Sequence, residues 1–222
     1  LPVSSKTGEG IDELRNEISR LVEETEEKDT NRDFRLPVDR VFTKQGFGTV
    51  ITGTLIEGVL NEGDDLIVYP RGIESKVRSI QVHSRDVKTA YAGQRVAVNL
   101  LKLKQEELEK GAVLAKPGSL TQTTLIDVKL TLLDSSKREV LNDSRLHFYH
   151  GASEEIARVI LLDDKKRILP GESAFAQLIL SEPAAVKVGD PFVVRFYSPL
   201  ETIGGGVILD PNPKKHKKGS KD

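Results

Sequence analysis

Cysteine and methionine are both absent from the 222-residue chain. Without cysteine there is no disulfide framework and no thiolate metal site, a composition that suits a reducing cytoplasm. Without methionine, and with Leu1 at its head, the chain reads as an excised or processed piece of a longer protein. Long apolar runs are missing too. None approaches the ~20 residues of a membrane span, and the first residues are no secretory signal.

A phosphate-binding loop is the next absence. The stretch DRVFTKQGFGTVITG at 39–53 carries Gly46, Gly48 and Gly53, spaced G-x-G-x-x-x-x-G and followed by Thr54. That matches neither the G-x-G-x-x-G of dinucleotide sites nor the G-x-x-x-x-G-K-[ST] of nucleotide-triphosphate sites. The flanks at 41–43 and 49–52 are strand-like, so the stretch predicts a β-hairpin turning at Gln45-Gly46.

Net charge is −1, but the two signs are unevenly placed. Residues 1–33 hold five Lys/Arg against ten Asp/Glu, residues 213–222 hold five against one, and the body between has 23 of each. The body therefore offers a nucleic acid no net attraction, and such a partner must meet a local basic patch.

What is present is a change of period. Ile11, Leu14, Ile18 and Leu21 recur at helical spacing behind Asp12 and Glu13, predicting one amphipathic helix over roughly 11–27 that runs into a polar linker. From Phe34 the pattern becomes short apolar or alternating runs: 37–43, 49–56, 65–69, 76–83, 94–101 and 112–115, then 124–133, 145–150, 156–162, 173–180, 191–197 and 203–209. Strands so short and frequent predict a mainly β chain of antiparallel barrels or sandwiches, with one helical interruption at 104–110. The two sets resemble each other. Gly93 with Leu100 seven positions on matches Gly171 with Leu178, and a second turn glycine, Gly111 or Gly189, follows eighteen positions after the first. Two related β-domains are expected, 34–117 and 121–211, after a separate segment 1–33. Gly63-Asp64 and Gly189-Asp190 read as turn chemistry without a function. The Lys-rich tail 212–222 reads as a solvated linker.

The opening LPVSSKTGEGIDEL resembles the last nucleotide-contacting segment of translational GTPases, in which a turn of small residues meets the guanine base. The resemblance makes Ser4, Ser5 and Lys6 partial guanine contacts; the other reading is a serine turn capping a helix. DRVFTKQGFGTVITGTLIEGVLNEGDDLIVYP, HSRDVKTAYAGQRVAVNL and LEKGAVLAKPG look like the first β-barrel after the GTPase domain, and TIGGGVILDP like the closing strand of the second. The resemblance thus implies two consecutive antiparallel β-barrels, domains II and III of that family, preceded by one helix from the end of the GTPase domain.

Three stretches are most similar to the bacterial selenocysteine-specific elongation factors: residues 80–83 leading to 92–100, RLHFYHGASEEIARVILL at 145–162, and FYSPLETIGGG at 196–206. This likeness implies GTP-dependent delivery of selenocysteinyl-tRNA to the ribosome in the cytoplasm, with GTP and Mg2+ in the intact parent and an mRNA hairpin bound by domains further C-terminal. It implies that Asp39, Arg40, His83 and Arg95 surround the esterified amino acid. Selenocysteine arrives largely as a selenolate whereas serine on the same tRNA is neutral, so cationic donors favour the former by charge-assisted hydrogen bonds. Asp39 would meet the α-amino group or buttress Arg95 or Arg40. By the same likeness Gly46, Val50 and Gln81 lie near the tRNA 3′ end, and Thr202, Gly204, Gly205, Arg145 and His147 near the T-stem, unless the glycines are a bulge in a closing strand. Without a phosphate loop the piece is not expected to hydrolyse GTP alone. Two rival readings are the barrels of a GTPase that regulates a metabolic enzyme, of the sulfate adenylyltransferase large-subunit type, and a non-catalytic ribosome or protein-docking module. Neither needs the Asp39, Arg40, His83 and Arg95 set.

Overall fold

The computed structural model describes residues 1–25, 28–44, 48–163 and 165–216. The helix α1 (Ile11–Glu24) forms as its spacing requires, with Asp12 and Glu13 in the first turn and Thr25 as C-cap; positions 26 and 27 of the expected span lie outside the described residues. Its apolar stripe is only partly covered, with Ile18, Leu21 and Val22 all about half exposed or more. Among the described residues no helix is long and apolar enough to cross a membrane.

The rest is β. The strands in chain order are β1 (Arg35–Lys44), β2 (Gly48–Thr54), β3 (Val59–Asn61), β4 (Asp65–Tyr69), β5 (Ile73–Val82), β6 (Arg85–Val87), β7 (Thr89–Tyr91), β8 (Arg95–Leu100) and β9 (Val113–Ala115), then β10 (Thr121–Leu132), β11 (Val140–Leu141), β12 (Arg145–His150), β13 (Ser153–Leu161), β14 (Arg167–Ile168), β15 (Ser173–Val186), β16 (Pro191–Arg195) and β17 (Thr202–Asp210). Every expected run became a strand. The expected helical interruption is a single 3-10 turn, Gln105–Glu107. The hairpin turn placed at Gln45-Gly46 lies outside the described residues.

Both halves close into antiparallel barrels rather than sandwiches. The first runs β1-β2-β8-β5-β4-β9 and returns to β1, with β6 added beside β5. The second runs β10-β15-β13-β12-β16-β17 and returns to β10. The two orders superimpose if β1 is matched with β17 and β2 with β10. The strand that opens the first barrel thus holds the place that the last strand fills in the second. Each barrel also carries a small two-stranded flap, β3 with β7 and β11 with β14.

Alternation fills the two interiors. Along β12, Leu146, Phe148 and His150 are buried while Arg145, His147 and Tyr149 point outward. Leu36, Val38, Ile51, Ile80, Val98 and Leu114 meet in the first core, and Ile126, Leu130, Phe148, Val159, Leu178 and Ile208 in the second. Each such side chain contributes about 1.5–3 kcal/mol on leaving water.

The repeated glycines have a common geometry. Gly93 and Gly171 have φ 94° and 79°, and the residue after each turns back to cap the turn, Gln94 accepting from Tyr91 N and Glu172 from Leu169 N. At Gly111 and Gly189 the glycine N–H donates to a strand carbonyl, Val38 or Ile208, whose own N–H returns to the next residue. The same turn occurs at Gly63 and again at Asp143, a non-glycine residue at φ 72°. Asp64 and Asp190 both accept from the backbone N–H three residues earlier, at 2.8 Å. Asp190, however, is more than a turn residue, because it also receives Arg35 from the other barrel. Its second role needs a residue far away in sequence, which no local pattern announces.

The start of the Lys-rich tail is docked, not free. Gln177 points outward on β15 yet is 2% exposed, because residues 214–216 lie across it. It donates to Lys214 O at 3.1 Å, and His216 Nε2 lies 2.6 Å from Asp127. Residues 217–222 lie outside the described part.

Candidate functional site

The first cluster is built on β1, β2 and β8. The β1–β2 register shifts between Val38 and Arg40, which turns Asp39 outward at a bulge. Arg95, at the first position of β8, pairs with Thr54 on β2. Its guanidinium reaches across that strand and donates to Asp39 from Nη1 at 2.6 Å and Nη2 at 3.1 Å, while Thr52 Oγ1 donates at 2.7 Å. Partial burial alone would raise the Asp39 carboxyl, but the hydrogen bonds from Arg95 and Thr52 and the charges of Arg95 and Arg40 hold it below its usual range. Asp39 is thus in direct contact with Arg95.

Arg40 is exposed beside this pair, and among the described residues no hydrogen bond holds it. His83 and Ser84 form the two-residue turn between β5 and β6, both at positive φ, 49° and 63°. This is the turn type whose twist suits a tight hairpin, and it carries His83 into solvent. His83, Arg85, Thr89 and Gln94 line an open hollow of about 430 Å³. Because Gln94 immediately precedes Arg95, the hollow reaches the start of β8, the strand that bears Arg95. The fold therefore joins two of the four expected residues directly, sets Arg40 beside them, and brings His83 to the neighbouring hollow rather than into hydrogen-bond contact.

Gln81 is engaged with Asp86 across the β5–β6 hairpin at 2.8 Å. Val50 is buried at 9% exposure on β2. Gly46 lies outside the described residues. At the N-terminus Ser4 closes a turn, accepting from Thr7 N at 3.3 Å and, through its carbonyl, from Gly8 N. It does not cap α1, whose N-cap is Gly10 with no side-chain cap bond. Ser5 and Lys6 are exposed on that turn.

The second cluster lies on the outer face of β12, β16 and β17. His147 is opposite Arg195, which is opposite Thr202. His147 Nδ1 lies 2.8 Å from Glu154 Oε1, and its ring stacks on Tyr197 at 5.1 Å. Arg195 sits over the Tyr149 ring at 5.8 Å and donates to Leu200 O. The Tyr149 hydroxyl, together with His147, holds the Glu154 carboxyl below its usual range. Arg145 is exposed at the strand start, opposite Arg158. Arg195, Tyr149 and Tyr197 were missed in the sequence, where only the register between strands could reveal them. The glycines of β17 have a structural reason: a Cβ on Gly204, Gly205 or Gly206 would come 2.3, 2.4 or 1.9 Å from a carbonyl oxygen of a neighbouring strand. Gly204 is itself buried.

Comparison with known proteins fits both halves. Residues 127–215 match the family model of the selenocysteine-specific elongation factor β-barrel domain, and residues 48–115 that of elongation factor Tu domain 2. The chain is 44% identical over 223 residues to a selenocysteine-specific elongation factor of Desulfomicrobium baculatum, covering 100% of this chain and 35% of that protein. It is 33% identical to one from Haemophilus influenzae, covering 97% of this chain and 34% of that protein. The crystal structure of a bacterial selenocysteine-specific elongation factor, EF-Sec, superposes with a TM-score of 0.84 at 31% identity, over 98% of this chain and 35% of that one. The chain spans about a third of the length of the curated relatives it matches. Over that span it is similar to the selenocysteine-specific elongation factors, its first barrel matching elongation factor Tu domain 2 and its second the selenocysteine-specific β-barrel domain.

Proposed function

We propose that this chain supplies the aminoacyl-tRNA-binding barrels of a translation factor that carries selenocysteinyl-tRNA to the ribosome in a GTP-dependent cycle in the cytoplasm. The observation that carries this reading is the outward-facing Asp39–Arg95 pair with Arg40 exposed at its side. Asp39 fixes the direction of the Arg95 guanidinium, whose side chain is 53% exposed, and Arg40 is exposed beside it. Two guanidiniums of which one is preset make a site for a small anion such as a selenolate. A neutral serine hydroxyl would displace the water around these cations without replacing its interaction. His83, on the adjoining hollow, adds a further polar ring.

The tRNA 3′ end would lie over Gly46, Val50 and Gln81, and the T-stem over Thr202, Gly204, Gly205, Arg145 and His147, joined by Arg195. A-form RNA is read through backbone and 2′-OH contacts, for which a cationic and aromatic strand face is suited. GTP and Mg2+ belong to the GTPase part of the whole protein. Toward that nucleotide this chain offers Ser4, Ser5 and Lys6, whose exposed turn fits the edge of a base. The two barrels form the units 34–117 and 121–211, and an mRNA hairpin would be held by domains beyond the tail.

The test is competition between selenocysteinyl- and seryl-tRNA for the protein joined to its GTPase domain, native and with Arg95→Asn. The native protein is expected to prefer selenocysteine and the variant to lose most of the preference. Equal affinity of the native protein for the two tRNAs sinks the selenolate pocket.

A further inference from the structure

The contact between the barrels has a buried ionic centre. Arg35 on β1, 1% exposed, donates to the two carboxylate oxygens of Asp190 at 2.8 and 2.7 Å and to Ala185 O at 3.3 Å. His150 Nε2 lies 3.0 Å from Asp190 Oδ2; since that carboxylate can only accept, the ring nitrogen donates. Lys187 Nζ donates to Glu57 at 2.6 Å beside it. Around these groups Tyr69, Val113, Ala115, Leu120 and Ala185 pack into a junction core. The approach is close elsewhere too, for a Cβ on Gly111 would meet Ser153 Cα at 2.7 Å.

Adhesion alone does not require an ion pair there, because well-packed apolar residues hold buried surfaces as well or better. What a two-pronged guanidinium–carboxylate contact adds is a defined distance and angle. Its position makes that definition useful. Arg35 stands four residues before Asp39 and five before Arg40 on the same strand, about 13 Å at ~3.3 Å per residue. Asp190 immediately precedes β16, the strand that carries Arg195 opposite His147 and Thr202. One end of the ion pair is thus in a strand that bears one cluster, and the other is in the turn that leads directly into a strand bearing the second.

We propose that Arg35 and Asp190, with His150, are positioning residues that set the spacing between the two clusters, so that the aminoacyl end and the helical stem of one tRNA are engaged together. This rests on the functional reading above. Two modest contacts on one rigid body reinforce each other through effective concentration, and the gain disappears when the geometry no longer spans both.

The experiment uses the GTP-bound full-length protein and two probes: an aminoacylated minihelix containing the acceptor and T stems, and a short aminoacylated oligonucleotide copying only the 3′ end. Variants are Arg35→Met, the double variant Arg35→Met with Asp190→Leu, which leaves no unpaired buried charge, and the conservative Arg35→Lys. The wild type is expected to bind the minihelix tighter than the short probe by at least about tenfold. Arg35→Met and the double variant should lose that gain while keeping the short-probe affinity, and Arg35→Lys should recover part of it. Folded variants that keep the full gain, or that lose both affinities in parallel, overturn the spacer role. A wild type with no gain overturns the stem-binding reading itself.

Discussion

Asp39 accepts both terminal nitrogens of Arg95 across an intervening strand, at 2.6 and 3.1 Å. The pair is 31% and 53% exposed at its side chains, so its value lies in orientation more than in stability. Asp39→Asn is expected to cost no more than about 1 kcal/mol of folding free energy. The same change should reduce the preference for selenocysteinyl- over seryl-tRNA by about tenfold, the worth of one charge-assisted hydrogen bond. Chemical denaturation and competition binding on the same variant separate the two effects. A large stability loss with unchanged preference would make the pair purely structural.

Arg35→Met leaves the Asp190 carboxylate buried without its partner and is expected to destabilise the protein by about 3–5 kcal/mol. Adding Asp190→Leu should restore much of this.

The same carboxylate makes stability depend on pH. Burial alone would raise Asp190, but hydrogen bonds from His150 and Arg35, the Arg35 charge and Lys187 N hold it far below the usual carboxylate range. Its contribution is therefore complete above the unfolded value of ~3.9 and is lost as pH falls through that value toward the folded one. In urea denaturation the gap between wild type and Asp190→Asn should be widest near neutrality and shrink below about pH 4. A gap independent of pH would contradict this account.

Gly206→Ala places a Cβ 1.9 Å from Lys129 O, and Gly53→Ala places one 2.1 Å from Pro37 O. Backbone cannot rotate aside as a side chain can, so each should cost about 3 kcal/mol or more. Gly118, at φ 76° with open space around its missing Cβ, should cost only the ~1–2 kcal/mol of a left-handed conformation. Thermal unfolding of the three variants gives the order, and a milder effect at Gly206 than at Gly118 would refute close strand approach as the reason for that glycine.

The docked tail gives a proteolytic readout. Gln177→Ala or His216→Ala removes the contacts that hold residues 214–216 against β10 and β15. Trypsin cleavage after Lys214 and Lys215 should accelerate several-fold relative to the native chain, since cleavage tracks the open population. Unchanged rates would mean that the contacts do not restrain the tail.

Much of the fold was legible because strand alternation is local. Leu146, Phe148 and His150 alternate with Arg145, His147 and Tyr149, and that pattern is written in six consecutive residues. The turn glycines were legible for the same reason, since a positive φ is demanded by the turn itself at Gly93 and Gly171. The short flaps β3–β7 and β11–β14 escaped, being two or three residues long and defined only by their partners.

The sequence by itself determined the class of structure, the helix and the barrel strands, because each depends on residue types at short spacing; the candidate pocket residues came from the family resemblance. Alternation left barrels and sandwiches open, the resemblance pointed to barrels, and the strand orders close as barrels; only the tertiary structure put β1 and β17 in matching places. It also decided that Asp39 contacts Arg95, that Arg195 joins His147 and Thr202, and that Asp190 receives Arg35 from the other barrel. The Asp39–Arg95 and Arg35–Asp190 relations link residues 56 and 155 positions apart. They exist only where the register of paired strands and the packing of one barrel on the other bring their side chains together.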